Sequence, residues 1–120
     1  AIALAEAVNY LESCLEKHDN SLNEYSMEKM KSINGISIYG NAPERTPIIS
    51  FNIEGIHSLD LAHFLDYEGI TIRSGHHCCQ PLMQALDITA CARVSFYFYN
   101  SVEEVDFLVD KINKAVQVIK

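Results

Sequence analysis

The chain has 120 residues, one domain's worth, and its 48% hydrophobic and 21% charged content is an ordinary globular balance that argues against disorder. Nine Lys and Arg against 16 Asp and Glu leave a net charge of −7, which argues against nucleic acid or an anionic membrane as the main partner. No apolar run approaches the ~20 residues of a membrane span, and Ala1-Ile2-Ala3-Leu4-Ala5, cut by Glu6 and without a basic flank, is no signal peptide.

The chain opens without Met inside a helical pattern, which reads as a piece of something longer. Leu4, Val8, Leu11 and Leu15 share one helical face. His18-Asp19-Asn20-Ser21 breaks or bends that helix, and Leu22, Tyr25, Met30 and Ile33 mark the apolar side of a second, capped by Gly35. Ile36 to Tyr39 reads as a strand and Gly40-Asn41-Ala42-Pro43 as a turn. Ile49, Phe51 and Ile53 alternate with Ser50 and Asn52, the pattern of a strand with one buried face. Ser58 is the expected N-cap of an amphipathic helix over 59–67. Ile70 to Arg73 reads as a strand that runs into Ser74-Gly75-His76-His77-Cys78-Cys79-Gln80-Pro81, followed by a helical turn at 82–86. Ala92 to Tyr99 is the strongest strand pattern. Ser101 and Glu104 form a capping box before a helix striped by Val102, Val105, Val109, Ile112, Val116 and Ile119. This order predicts a single α/β domain over 1–120, with a small sheet of about four strands covered by helices.

Four cysteines at 14, 78, 79 and 91 are too few and too irregular for a disulfide framework, and read as free thiols in a reducing compartment. Adjacent Cys78 and Cys79 would pair only through a strained ring. Cys14 and Cys91 read as small core hydrophobes. The stretch 73–81 crowds two imidazoles and two thiols together, and an imidazole beside a thiol favours the nucleophilic thiolate. Three readings stand: a nucleophilic or redox cysteine, a zinc site, or a polar loop without chemistry. Against zinc, consecutive side chains point apart, and no C-x-x-C pair completes a tetrahedron. Arg93, inside a β-rich strand, is either a solvent-face residue or an anchor whose fork suits a carboxylate. Arg73 has the same ambiguity.

Arg73-Ser74-Gly75-His76-His77-Cys78, then Gln80-Pro81-Leu82-Met83, Ala92-Arg93-Val94-Ser95-Phe96-Tyr97-Phe98-Tyr99-Asn100 and Glu103-Glu104-Val105-Asp106, closely resembles the C-terminal small domain of SUF-type cysteine desulfurases. These are class V aminotransferase-superfamily enzymes of fold type I that use pyridoxal phosphate. The resemblance covers essentially the whole chain. It implies a homodimeric parent enzyme that converts L-cysteine to L-alanine and an enzyme persulfide. It further implies a SufE- or SufU-type sulfur acceptor, a role in iron–sulfur cluster assembly, accompanying selenocysteine lyase activity, and a cytoplasmic setting in bacteria or the stroma of a plastid. By matching position it makes Cys78 the nucleophile and persulfide carrier and Arg93 the substrate-carboxylate anchor. His76 and His77 flank the nucleophile as proton-transfer or orienting groups, and Arg73 helps position the loop.

Two departures accompany the resemblance. Cys79 stands where small or hydroxyl residues are usual, and reads as filler or as a second thiol that receives sulfur. The family's cofactor lysine, in a Ser-x-His-Lys context, is missing, as is the large cofactor domain, and no metal ligand set is implied. The expectation is a C-terminal fragment that folds but does not catalyse alone. The rivals are another class V lyase or transaminase that does not use the cysteine, and a stand-alone sulfur-carrier or zinc-binding module.

Overall fold

The computed structural model describes residues 2–15, 21–40, 42 and 45–120. The elements run α1 (Ile2–Leu15), α2 (Ser21–Lys31), β1 (Ile36–Tyr39), β2 (Ile48–Ile53), α3 (Ser58–Tyr67), β3 (Arg73–Gly75), α4 (Gln80–Ala85), β4 (Cys91–Ser95) and α5 (Val102–Ile119). Among the described residues, four strands form one antiparallel sheet in the order β1-β2-β4-β3. The expected α/β class and strand number both hold. The expected break at 18–20, and Asn41 and Pro43 of the expected turn, lie outside the described residues.

Period-2 alternation assigns the two faces of the sheet. Ile49, Phe51 and Ile53 of β2 and Ala92 and Val94 of β4 are buried on one face. They join Leu22, Met27, Met30 and Ile33 from α2 and its exit turn, Leu61 and Leu65 from α3, and Val105, Leu108, Ile112 and Ala115 from α5. Three helices thus seal one side of the sheet. Polar ties fix them: Tyr25 Oη donates to Asp106 at 2.7 Å, Lys29 pairs with the same carboxylate at 2.8 Å, and Glu68 bridges Lys111 and Lys114 at 3.0 and 2.6 Å. The other face carries Tyr39, Ser50 and Arg93, and α4 lies over it. Among the described residues no helix is long and apolar enough to cross a membrane.

Several boundaries differ from the sequence pattern, each for a visible reason. β4 ends at Ser95, not Tyr99. Phe96 N donates to Pro47 O at 2.8 Å, β2 offers no further partner, and the Asn100 side chain takes the Tyr97 N–H at 2.8 Å to close a turn. Tyr97, Phe98 and Tyr99 therefore stack edge-to-face in a turn instead of alternating across a sheet. β3 begins at Arg73, because Ile70 N is spent on Leu65 O at the exit of α3. The N-cap of α3 is His57, whose Nδ1 accepts from Leu59 N at 3.2 Å; Ser58 is the first helical residue and is buried. In the expected stripe of α1, Leu4 is 69% and Val8 46% exposed and Leu11 is half-buried, and Cys14, expected in the core, is also only half-buried. The capping box of α5 forms as the spacing predicts, with Glu104 N on Ser101 Oγ and Ser101 N on Glu104 Oε2.

Candidate active site

Gly75 leaves β3 at φ +118°, and His77 and Cys78 follow at φ 51° and 56°, left-handed values that non-glycine residues avoid. Two such residues in succession cost on the order of 1–3 kcal/mol each. Three hydrogen bonds hold them. Cys78 N donates to His76 Nδ1 at 3.1 Å, Cys79 N donates to His76 O at 2.9 Å, and His77 Nε2 meets Cys91 O at 3.1 Å. Because a carbonyl only accepts, His77 carries its proton on Nε2, and its Nδ1 is an acceptor. That Nδ1 is buried without a partner. Burial holds the His77 imidazole below its ordinary pKa; the Cys91 carbonyl opposes this, and the charges of Arg93, Arg73 and His76 add to it.

The turn delivers its side chains to different places. Cys78 is exposed, and neither imidazole hydrogen-bonds its thiol; His76 spends Nδ1 on the Cys78 backbone instead. His77 and Cys79 face a cavity of about 460 Å³ between the turn, α4 and the polar face of the sheet. Tyr39, Gly40, Ser50, Cys91 and Arg93 make its floor, and Leu82, Met83 and Leu86 of α4 make its apolar wall. Arg93 is half-buried there, and its Nε is inaccessible and unpartnered. Burial pushes the Cys91 thiol up in pKa, against the pull of Arg93. Among the described residues no three His, Cys, Asp or Glu side chains stand close enough to hold a metal ion.

Of the expected site residues, the fold brings Arg93 and His77 to one cavity. Cys78 sits between two cavity-lining neighbours without lining it, and Arg73 lies directly across from Arg93 in the β3–β4 register, exposed. Sequence reasoning missed Tyr39 and Ser50. Both fall in the same cross-sheet row as Arg93, since Tyr39 pairs with Ser50 and Ser50 with Arg93. Their outward position in the alternating strands was the available signal.

A small antiparallel sheet sealed by helices in this way has solved counterparts. The fold matches that of a cysteine desulfurase from Thermococcus onnurineus NA1, with a TM-score of 0.86 and 33% identity over 97% of this chain and 30% of that one. It also matches the cysteine desulfurase CsdA of Escherichia coli, with a TM-score of 0.77 and 26% identity over 88% of this chain and 28% of that one. Residues 1–108 match the family described as Aminotransferase class-V, and the chain belongs to that family. Among curated relatives, a probable cysteine desulfurase of Halalkalibacterium halodurans is 42% identical over 118 residues, 95% of this chain. The chain spans 29% of that relative's length.

Proposed function

We propose that this chain is the C-terminal domain of a SUF-type cysteine desulfurase, in which sulfur from L-cysteine becomes bonded to Cys78 and L-alanine is released. The balance is closed: L-cysteine and a thiol become L-alanine and a persulfide. The observation that carries the reading is the exposed Cys78 thiol, held by a left-handed turn beside a cavity lined by Arg93, whose Nε has no partner. Arg93 supplies the fork that a substrate carboxylate takes. Arg73, its cross-strand neighbour, adds positive charge at the same edge. His77 ties the turn to β4, and His76 shapes it from within. An exposed persulfide suits handover to a SufE- or SufU-type acceptor that feeds iron–sulfur cluster assembly.

The residues of this site do not fit pyridoxal phosphate, the cofactor that the family implies. Among the described residues no lysine lines the cavity; Lys29 is paired with Asp106, and Lys111 and Lys114 with Glu68. The chain contributes the thiol and the carboxylate anchor, while the cofactor belongs to the part of the relatives that this chain does not span. The parent enzyme is proposed to be a homodimer of the bacterial cytoplasm or plastid stroma.

The test is alanine release from L-cysteine by the full-length protein loaded with pyridoxal phosphate. Cys78→Ala is expected to abolish it, and the 120-residue chain alone is expected to release none. Undiminished turnover in Cys78→Ala would refute the nucleophile assignment and favour a class V lyase or transaminase that does not use the thiol.

A further inference from the structure

Three thiols between 78 and 91 occupy three different environments. Cys78 is exposed and does not line the cavity. Cys91 lines its floor but is only 2% exposed, with burial pushing its pKa up. Cys79 alone is both accessible and part of the cavity wall. It follows the strained His77-Cys78 pair, and its backbone is fixed at both ends: its N–H donates to His76 O, and its carbonyl accepts from Leu82 N and Met83 N. Its side chain caps nothing. The same cavity presents Arg93, with a buried and unpartnered Nε.

We propose that Cys79 is a covalent modification site, at which a small disulfide bearing a carboxylate, cystine being the simplest biological example, docks on Arg93 and forms a mixed disulfide. The Cys79 thiolate attacks one sulfur of the bound disulfide. The old S–S bond breaks, one half leaves as a thiolate and takes up a proton, and the other half stays bonded to Cys79. Cys79 is oxidised and the departing half is reduced, so no further oxidant is needed. A carboxylate held on the guanidinium raises the effective concentration of the disulfide at Cys79; Cys79 is the accessible thiol of the cavity wall, and Cys91 is too buried to compete. The adduct fills the space over Arg93, so the thiol is a reversible oxidative stop on the carboxylate anchor, released by a reducing thiol. This inference rests on the reading of Arg93 as a carboxylate anchor, not on the role of Cys78.

The experiment treats the reduced full chain with 3,3′-dithiodipropionate or with the uncharged bis(2-hydroxyethyl) disulfide, then alkylates the remaining thiols. Trypsin cuts after Arg73 and Arg93, so one peptide, 74–93, carries all three thiols, and fragmentation in the mass spectrometer locates the adduct. A net charge of −7 repels the dianionic probe from the molecule as a whole, so any preference for it is local. The adduct is expected on Cys79, about tenfold faster or more with the carboxylate probe, the factor that one charge-assisted contact confers. Excess L-alanine, a carboxylate without sulfur, is expected to slow it on the unaltered chain, and Arg93→Gln to erase the preference. Equal rates for the two probes at every thiol would overturn both the proposal and the anchor reading. A carboxylate-selective adduct on Cys78 would keep the anchor and remove Cys79.

Discussion

Arg93 and Arg73 face each other across β3 and β4, an arrangement that costs energy for like charges unless an anion or solvent intervenes. Behind that pair lies His77, whose imidazole is tied through Nε2 to the Cys91 carbonyl and whose imidazolium is disfavoured by burial and by both guanidinium groups. The consequence for stability has a definite sign. Between the depressed value in the fold and about 6.5 in the unfolded chain, only the unfolded chain binds the proton, so stability falls as pH drops through that window. His77→Asn keeps a donor for Cys91 O but cannot titrate. The unaltered chain is therefore expected to lose more melting temperature between pH 7 and pH 5 than His77→Asn does. Parallel pH slopes for the two proteins would contradict the burial argument. The carboxylates of Glu68, Glu104 and Asp106, held low by their hydrogen bonds, act in a separate window below about pH 4.5.

Helix α5 shows how far local sequence carries an element. Ser101, Glu104 and the apolar stripe place its start and the middle of its buried face at Val105, Val109 and Ile112; the structure adds Leu108 and Ala115 to the burial, leaves Val116 and Ile119 half-buried, and leaves Val102 in the first turn 43% exposed. Ser101→Ala removes the acceptor for Glu104 N and is expected to cost about 1 kcal/mol, read from the urea midpoint of unfolding. No loss of stability would mean that the cap frays in solution. Helix faces and alternating strands were legible because their period is local. Strand ends were not. The stop of β4 depends on Pro47 and Asn100, and the start of β3 on a bond from Ile70 back to Leu65. The cavity was illegible for a related reason. The row Tyr39–Ser50–Arg93–Arg73 exists only in the register of an antiparallel sheet whose neighbours lie far apart in sequence, and no local pattern encodes that register. The 73–81 stretch stood out by composition alone, but only the left-handed turn separates an outward Cys78 from a cavity-lining Cys79.

At the scale of the molecule, burial is lopsided. Helices α2, α3 and α5 and one face of the sheet share a single core to which α1 contributes no described residue, although its Tyr10 lies edge-on to Phe98 at 6.5 Å. Leu4 and Val8, two residues of the stripe whose spacing is that of a buried helix face, remain 69% and 46% exposed, and Ile2 and Tyr10 are exposed as well. The radius of gyration, 15.8 Å, exceeds the about 14 Å expected of a compact chain of this length, as a projecting helix requires. Two substitutions of similar chemistry then separate core from projection. Ile112→Ala, at a fully buried position, is expected to cost about 2–5 kcal/mol through lost contacts and a residual void. Leu4→Ala, at a position 69% exposed, is expected to change stability by no more than about 0.5 kcal/mol. Both are read from urea unfolding of the same 120-residue chain. Comparable losses would mean that α1 folds back onto the core in solution; a large loss at Ile112 alone would establish that the sheet and its three covering helices fold as a unit that does not need α1.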